Sequence, residues 1–160
     1  MWSCKLSVYV SVDAISTIAR ECSLVDGVET GGILVGYETR KGLVISHATG
    51  PGPKAIQTEC SLELDVQYIS RELRRFETSL PIGYQGNWHS HPGEKRIIMS
   101  RLDKLLLRDV VCSPEYDTDT AVMIIVPSDP RLVGDFHAFL LCGCKGKISK
   151  SEILKCHNPF

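Results

Sequence analysis

Apolar and polar positions along the chain switch between two periods, and the switches mark out the elements. Lys5 to Val10 alternates toward β-branched residues and predicts a strand. Val12, Ile15, Ile18, Ala19 and Cys22 then recur near 3.6-residue spacing, with Ser11 placed to cap the helix. A loop through Asp26-Gly27 leads to Glu29-Thr30-Gly31-Gly32 and a buried strand, Ile33 to Tyr37. Gly42 to Thr49 predicts a second strand, joined through Thr39-Arg40-Lys41-Gly42 as a hairpin. Gly50-Pro51-Gly52-Pro53 must be loop.

From Asp65 to Phe76, Val66, Ile69, Leu73 and Phe76 form one face of an amphipathic helix. Arg71, Glu72, Arg74 and Arg75 form its solvated side. Pro81 to His91 predicts a central strand, followed by a loop with Pro92-Gly93 and a helix from Ser100 to about Val111. Ala121–Val126 and Val133–Leu141 predict strands around a Ser128-Asp129-Pro130 turn, and Ser149 to Cys156 a short closing helix. Interleaved helices and strands give the α/β class, with hairpins making the β-sheet mixed. The 160 residues fit one domain, 1–160, large enough for a substantial core.

Composition mainly excludes. A 43% hydrophobic and 23% charged chain argues against disorder, and a net charge of −1 gives no general attraction to nucleic acid or an anionic membrane. No apolar run approaches the ~18 residues that span a bilayer. Met1-Trp2-Ser3-Cys4-Lys5 lacks the basic-then-apolar pattern of a secretory signal, so a cytoplasmic protein is expected. The seven cysteines have no compact framework of spacings and are expected as reduced, mostly buried thiols. Cys142-Gly143-Cys144 with Cys156-His157 lacks the two-residue spacer of a usual metal site, and the end of an apolar strand is the better reading.

The chemistry concentrates in His89-Ser90-His91, Ser100 and Asp103. Imidazoles at i and i+2 project from the same side of a strand. A carboxylate from the next element completes a three-ligand site with a position open for water, the arrangement of a hydrolytic zinc. Asp103 leads a helical stripe of Leu106, Leu107 and Val110, where an ionised carboxylate is costly unless something positive meets it. Its alternative role is to favour the helix N-terminus through the dipole. Ser100 is equally suited to cap that helix or to donate to an oxyanion. HExxH is absent, so the general base must lie elsewhere. Glu29, leading into Gly31-Gly32, is the best placed; Glu63, Glu72 and Glu94 are open rivals.

Glu29-Thr30-Gly31-Gly32-Ile33-Leu34-Val35-Gly36, Trp88-His89-Ser90-His91-Pro92 and Ser100-Arg101-Leu102-Asp103 together resemble the JAMM (JAB/MPN+) metalloprotease signature. That signature is a glutamate, then His-Ser/Thr-His-Pro, then Ser-x-x-Asp, and the resemblance runs over about residues 5–145. Gly83 to Trp88 and Ala48 to Pro53 are similar to compact bacterial members, which often accompany E1-like and E2-like proteins in ubiquitin-like conjugation or antiphage operons. The resemblance implies an MPN/JAB, cytidine-deaminase-like fold with one catalytic Zn2+. His89, His91 and Asp103 would be its ligands, Glu29 the base and Ser100 the oxyanion donor. It further implies hydrolysis of the amide or isopeptide bond after the C-terminal tail of ubiquitin or a ubiquitin-like protein, with E1-like and E2-like proteins as partners. Pro92 to Met99 makes the gap before Ser100 one residue longer than the family's usual one.

Other classes fit less well. A non-catalytic MPN scaffold typically lacks one or more of the five residues, all of which are here. A RadC-like role in DNA metabolism is disfavoured by Ser90 and by the absence of net basic charge. The His-x-Glu and Pro-Cys-x-x-Cys pair of a nucleobase deaminase is missing.

Overall fold

A computed structural model describes residues 6–93, 97–130 and 135–157. Eight strands form one mixed sheet in the order β10-β1-β3-β2-β6-β7-β8-β9. Its early strands are β1 (Ser7–Ser11), β2 (Gly31–Thr39), β3 (Gly42–Ala48) and β6 (Gly83–His91). The later ones are β7 (Thr120–Pro127), β8 (His137–Cys142), β9 (Ser149–Ser151) and β10 (Ile153–Cys156). A separate short hairpin pairs β4 (Ile56–Gln57) with β5 (Leu62–Glu63). The α/β class and mixed sheet expected from the sequence are present: β6 and β7 run parallel, while β2 is antiparallel to both β3 and β6.

Helix α1 (Val12–Ser23) starts where Ser11 accepts from the Ala14 N–H at 3.0 Å. It buries Ala14, Ile18 and Cys22 against one face of the sheet, with Val8, Val10, Leu34, Trp88, Val122, Ile124 and Val126. Helices α2 (Val66–Ser79) and α3 (Arg101–Cys112) take the other face. Leu107, Val110 and Val111 of α3 meet Ala121, Met123 and Ile125 there. Alternate residues of β7 thus serve opposite cores, which explains why Ala121 to Val126 is a continuous apolar run.

The C-terminal segment departs from expectation. Ser149 to Cys156 forms β9 and β10 rather than a helix. β9 adds antiparallel to β8 and β10 adds parallel to β1, and Val8 N–H donates to Glu152 C=O at 2.9 Å. Ladder partners waiting at two otherwise open sheet edges outweigh the weak helical pattern of so short a segment.

The cysteines depart too. Cys112, at the end of α3, is disulfide-bonded to Cys144, just beyond β8, across a Cα–Cα distance of 4.9 Å. The two lie 32 residues apart in sequence, and only the packing of α3 beside β8 brings them together. Cys22, Cys60 and Cys156 are free thiols, and burial pushes Cys22 up to about 12. Among the described residues no helix is long and apolar enough to cross a membrane.

Candidate metal centre

The site lies at the end of β6, on the α2/α3 face of the sheet. Strand alternation sends Trp88 and Ser90 toward α1 and leaves Asn87, His89 and His91 on the opposite side. Trp88 is 1% exposed and its indole donates to the Thr49 carbonyl at 2.9 Å. Ser90 accepts from the Thr30 N–H at 3.0 Å, and its own N–H donates to the Thr30 carbonyl at 2.8 Å. The residue between the histidines thereby ties β6 to the entry of β2, one position after Glu29.

Gly31 and Gly32 make that entry possible. A Cβ on Gly31 would stand 2.3 Å from the Trp88 carbonyl oxygen, and one on Gly32 would stand 2.1 Å from that of Thr49. The pair serves close strand approach and so delivers Glu29 to the cleft.

His89 and His91 bring their Nε2 atoms to 2.8 Å, and Asp103 Oδ1 lies 3.4 Å from His89 Nε2. One donor atom from each of the three residues lies within 4.8 Å of the others. Ligands about 2.0–2.1 Å from a shared tetrahedral ion stand roughly 3.4 Å apart, so the donor set fits a metal ion in both chemistry and size. Burial pushes His89 down to about 4, against the opposing effect of Asp103, so its ring is neutral with a lone pair available.

Asp103 has two engagements. Its Oδ2 accepts from the Ser100 N–H at 2.7 Å, while the Ser100 hydroxyl accepts from the Asp103 N–H at 3.1 Å. This reciprocal capping box starts α3 and turns the second carboxylate oxygen toward His89. Both roles weighed for Asp103 are therefore filled at once. Ser100 is the cap, and its hydroxyl hydrogen is still free to donate, because a serine oxygen can accept while its hydrogen is donated.

A cleft of about 450 Å³ opens over these residues, and Glu29, Ser100, Asp103, His89 and His91 all line it. Among the rival bases, Glu63 also lines the cleft but is exposed, and Glu72 is on α2, 2.7 Å from Arg75. Glu94 lies outside the described residues. Glu29 is half-buried and its backbone is clamped: its N–H donates to Thr58 C=O at 2.7 Å, and Gln57 donates to its carbonyl at 3.0 Å.

Comparison with known proteins points the same way. The chain is 28% identical over 127 residues to the probable metalloprotease y4qB of Sinorhizobium fredii (strain NBRC 101917 / NGR234), across 78% of this chain and 77% of that one. The relative is named a probable metalloprotease. Together with the His89–His91–Asp103 cluster, that likeness supports metallopeptidase chemistry. The solution structure of protein DSY2949 from Desulfitobacterium hafniense superposes with a TM-score of 0.67, over 94% of this chain and 93% of that one. At 14% identity it speaks to the fold alone. No protein-family model matches the chain.

Two parts of the site had no sequence signal strong enough to find. The turn of the β4–β5 hairpin brings Glu59, Cys60 and Ser61 to the cleft wall, from a stretch too short and too polar to predict strands. Asn87 lines the cleft two residues before His89, and only the strand's facing reveals it.

Proposed function

We propose that the protein is a JAMM-type zinc peptidase of the MPN/JAB fold. It hydrolyses the amide or isopeptide bond that follows the C-terminal tail of ubiquitin or a ubiquitin-like protein. One observation carries this reading: three donor atoms of His89, His91 and Asp103 converge within 4.8 Å in a cleft that Glu29 and Ser100 also line. Zinc bound there would supply Lewis acidity to water and to a carbonyl oxygen.

The chain's own residues do the rest. Glu29 takes a proton from the attacking water and delivers it to the leaving amine nitrogen, a task suited to a half-buried, backbone-clamped carboxylate. The Ser100 hydroxyl donates to the oxyanion that develops on the attacked carbonyl. His89, held by the β2 and β7 ladders, and His91, paired with Pro127 of β7, stay in place through the cycle. The cleft is lined by Glu59 to Leu64 on one element and by Ser100 to Leu106 on another, which suits an extended tail better than a folded surface.

The test pairs activity with metal content. Purified protein is expected to hold close to one zinc per chain and to cleave a fluorogenic ubiquitin-tail amide. Glu29→Gln should lose at least roughly 100-fold in kcat with zinc retained, whereas Glu63→Gln stays near wild type. Cleavage by metal-free protein overturns the mechanism. Full metal content with no cleavage of any tail conjugate favours the non-catalytic MPN scaffold instead.

A further inference from the structure

Asn87 is a polar cleft residue on the metal face of β6 that the peptidase mechanism leaves without a task. β6 lies between β2 and β7, with Asn87 opposite Ile33 on one side and Met123 on the other. The main-chain groups of this central strand are committed to its ladders, so β6 can address a substrate only through side chains. Asn87 is the next side chain on the metal face after His91 and His89.

Its orientation is set by a β-bulge. The β2–β6 register shifts between Leu34, opposite Gly86, and Val35, opposite Tyr84, so Gln85 is the extra residue. Regular alternation would put Tyr84 and Asn87 on opposite faces; the extra residue puts them on the same one. There the Tyr84 hydroxyl donates to the Asn87 side-chain carbonyl. Tyr84 is itself fixed by packing between the α2 and α3 cores and against the Tyr116 ring at 5.2 Å. Burial raises its pKa, so the phenol keeps the proton it donates. With its carbonyl oxygen held this way, the Asn87 amide has both N–H bonds free for the cleft.

We propose that Asn87 is a substrate-binding residue whose amide donates to a main-chain carbonyl two residues along an extended substrate from the scissile bond, with Tyr84 as its positioning residue. The spacing follows from strand geometry. Two residues of β6 separate Asn87 from His89, and two residues of an extended peptide advance by the same distance, about 6.6–6.8 Å. A scissile carbonyl lying beside His89 would bring the carbonyl two residues away to Asn87. This inference rests on the peptidase reading.

The test uses the zinc-loaded full chain and two fluorogenic five-residue peptide amides ending in two glycines. One is unmodified; in the other, the carbonyl two residues from the scissile one is reduced to methylene. Wild type is expected to lose roughly tenfold in kcat/KM on the reduced probe, mostly through KM, as for one lost hydrogen bond. Asn87→Ala and Asn87→Asp should show that loss on the unmodified probe and no longer discriminate between the two. Tyr84→Phe should discriminate only partly, with zinc content unchanged in all three. Asn87 variants that discriminate as wild type does would overturn the inference while leaving the peptidase reading intact. A zinc-loaded wild type that cleaves neither probe would overturn both.

Discussion

The two faces of β6 do different work with adjacent residues. Toward α1, Trp88 and Ser90 are buried at 1% exposure, and each is hydrogen-bonded to a neighbouring segment. Toward α2 and α3, Asn87, His89 and His91 line an open cleft. Packing and satisfied polar groups on one side hold the strand still. On the other side that rigidity becomes precise placement of ring nitrogens. The comparison teaches that the His-Ser-His run is two devices interleaved: a clamp on the odd-one-out serine and a ligand pair on either side of it.

The sharpest way to break the comparison is to remove one residue from each face. His89→Ala is expected to abolish zinc binding and bring cleavage below detection while the melting curve stays cooperative, read by metal analysis and calorimetry. Trp88→Ala should do the opposite, costing about 3–5 kcal/mol of stability while the surviving folded fraction still binds zinc. If the tryptophan variant loses metal at full stability, the two faces are not separable in this way.

A smaller effect sharpens the link between them. Ser90→Ala strands the buried Thr30 N–H and should cost about 1–3 kcal/mol by denaturant unfolding. Because Thr30 follows Glu29, kcat should fall while zinc content holds, a split that simple loss of folding would not produce.

The smallest expected effect is at the cap of α2. Asp65 caps α2, accepting from the Tyr68 and Lys54 N–H groups at 3.1 Å each. Those bonds, that from Tyr68 first, hold its carboxyl below the usual aspartate range despite the opposing effect of burial. A depressed folded-state pKa means the stabilisation is present above the unfolded value and is lost as pH falls through the folded one. Asp65→Ala should therefore lower Tm by a few degrees at neutral pH and flatten the acid limb of the stability curve, without touching zinc content. α2 buries no residue fully, so its stability depends unusually on its cap.

How much was legible varies by element. α1 and its Ser11 cap, the hairpin at Thr39–Gly42 and the apolar β7 follow from local pattern, and the structure has all three. The stripe on α1 is rotated slightly, since Ala14 is buried while Val12 and Ala19 are only half-buried. The exposure that separates Glu29 from Glu63 was not readable, because both residues line the same cleft and only the fold sets the Glu29 backbone against Gln57 and Thr58 of the hairpin that carries Glu63.

What the chain determined by itself was therefore local: an i, i+2 histidine pair on a strand, a Ser-x-x-Asp start to a helix, and the apolar periods of the core. These need only neighbours in sequence. The tertiary structure decided everything that depends on distant segments meeting: strands β9 and β10 at the sheet edges, the Cys112–Cys144 bond, and the convergence of Asp103 on His89. A hydrogen-bond ladder, a disulfide or a ligand triad is a pairwise condition in space, and no single segment carries it alone.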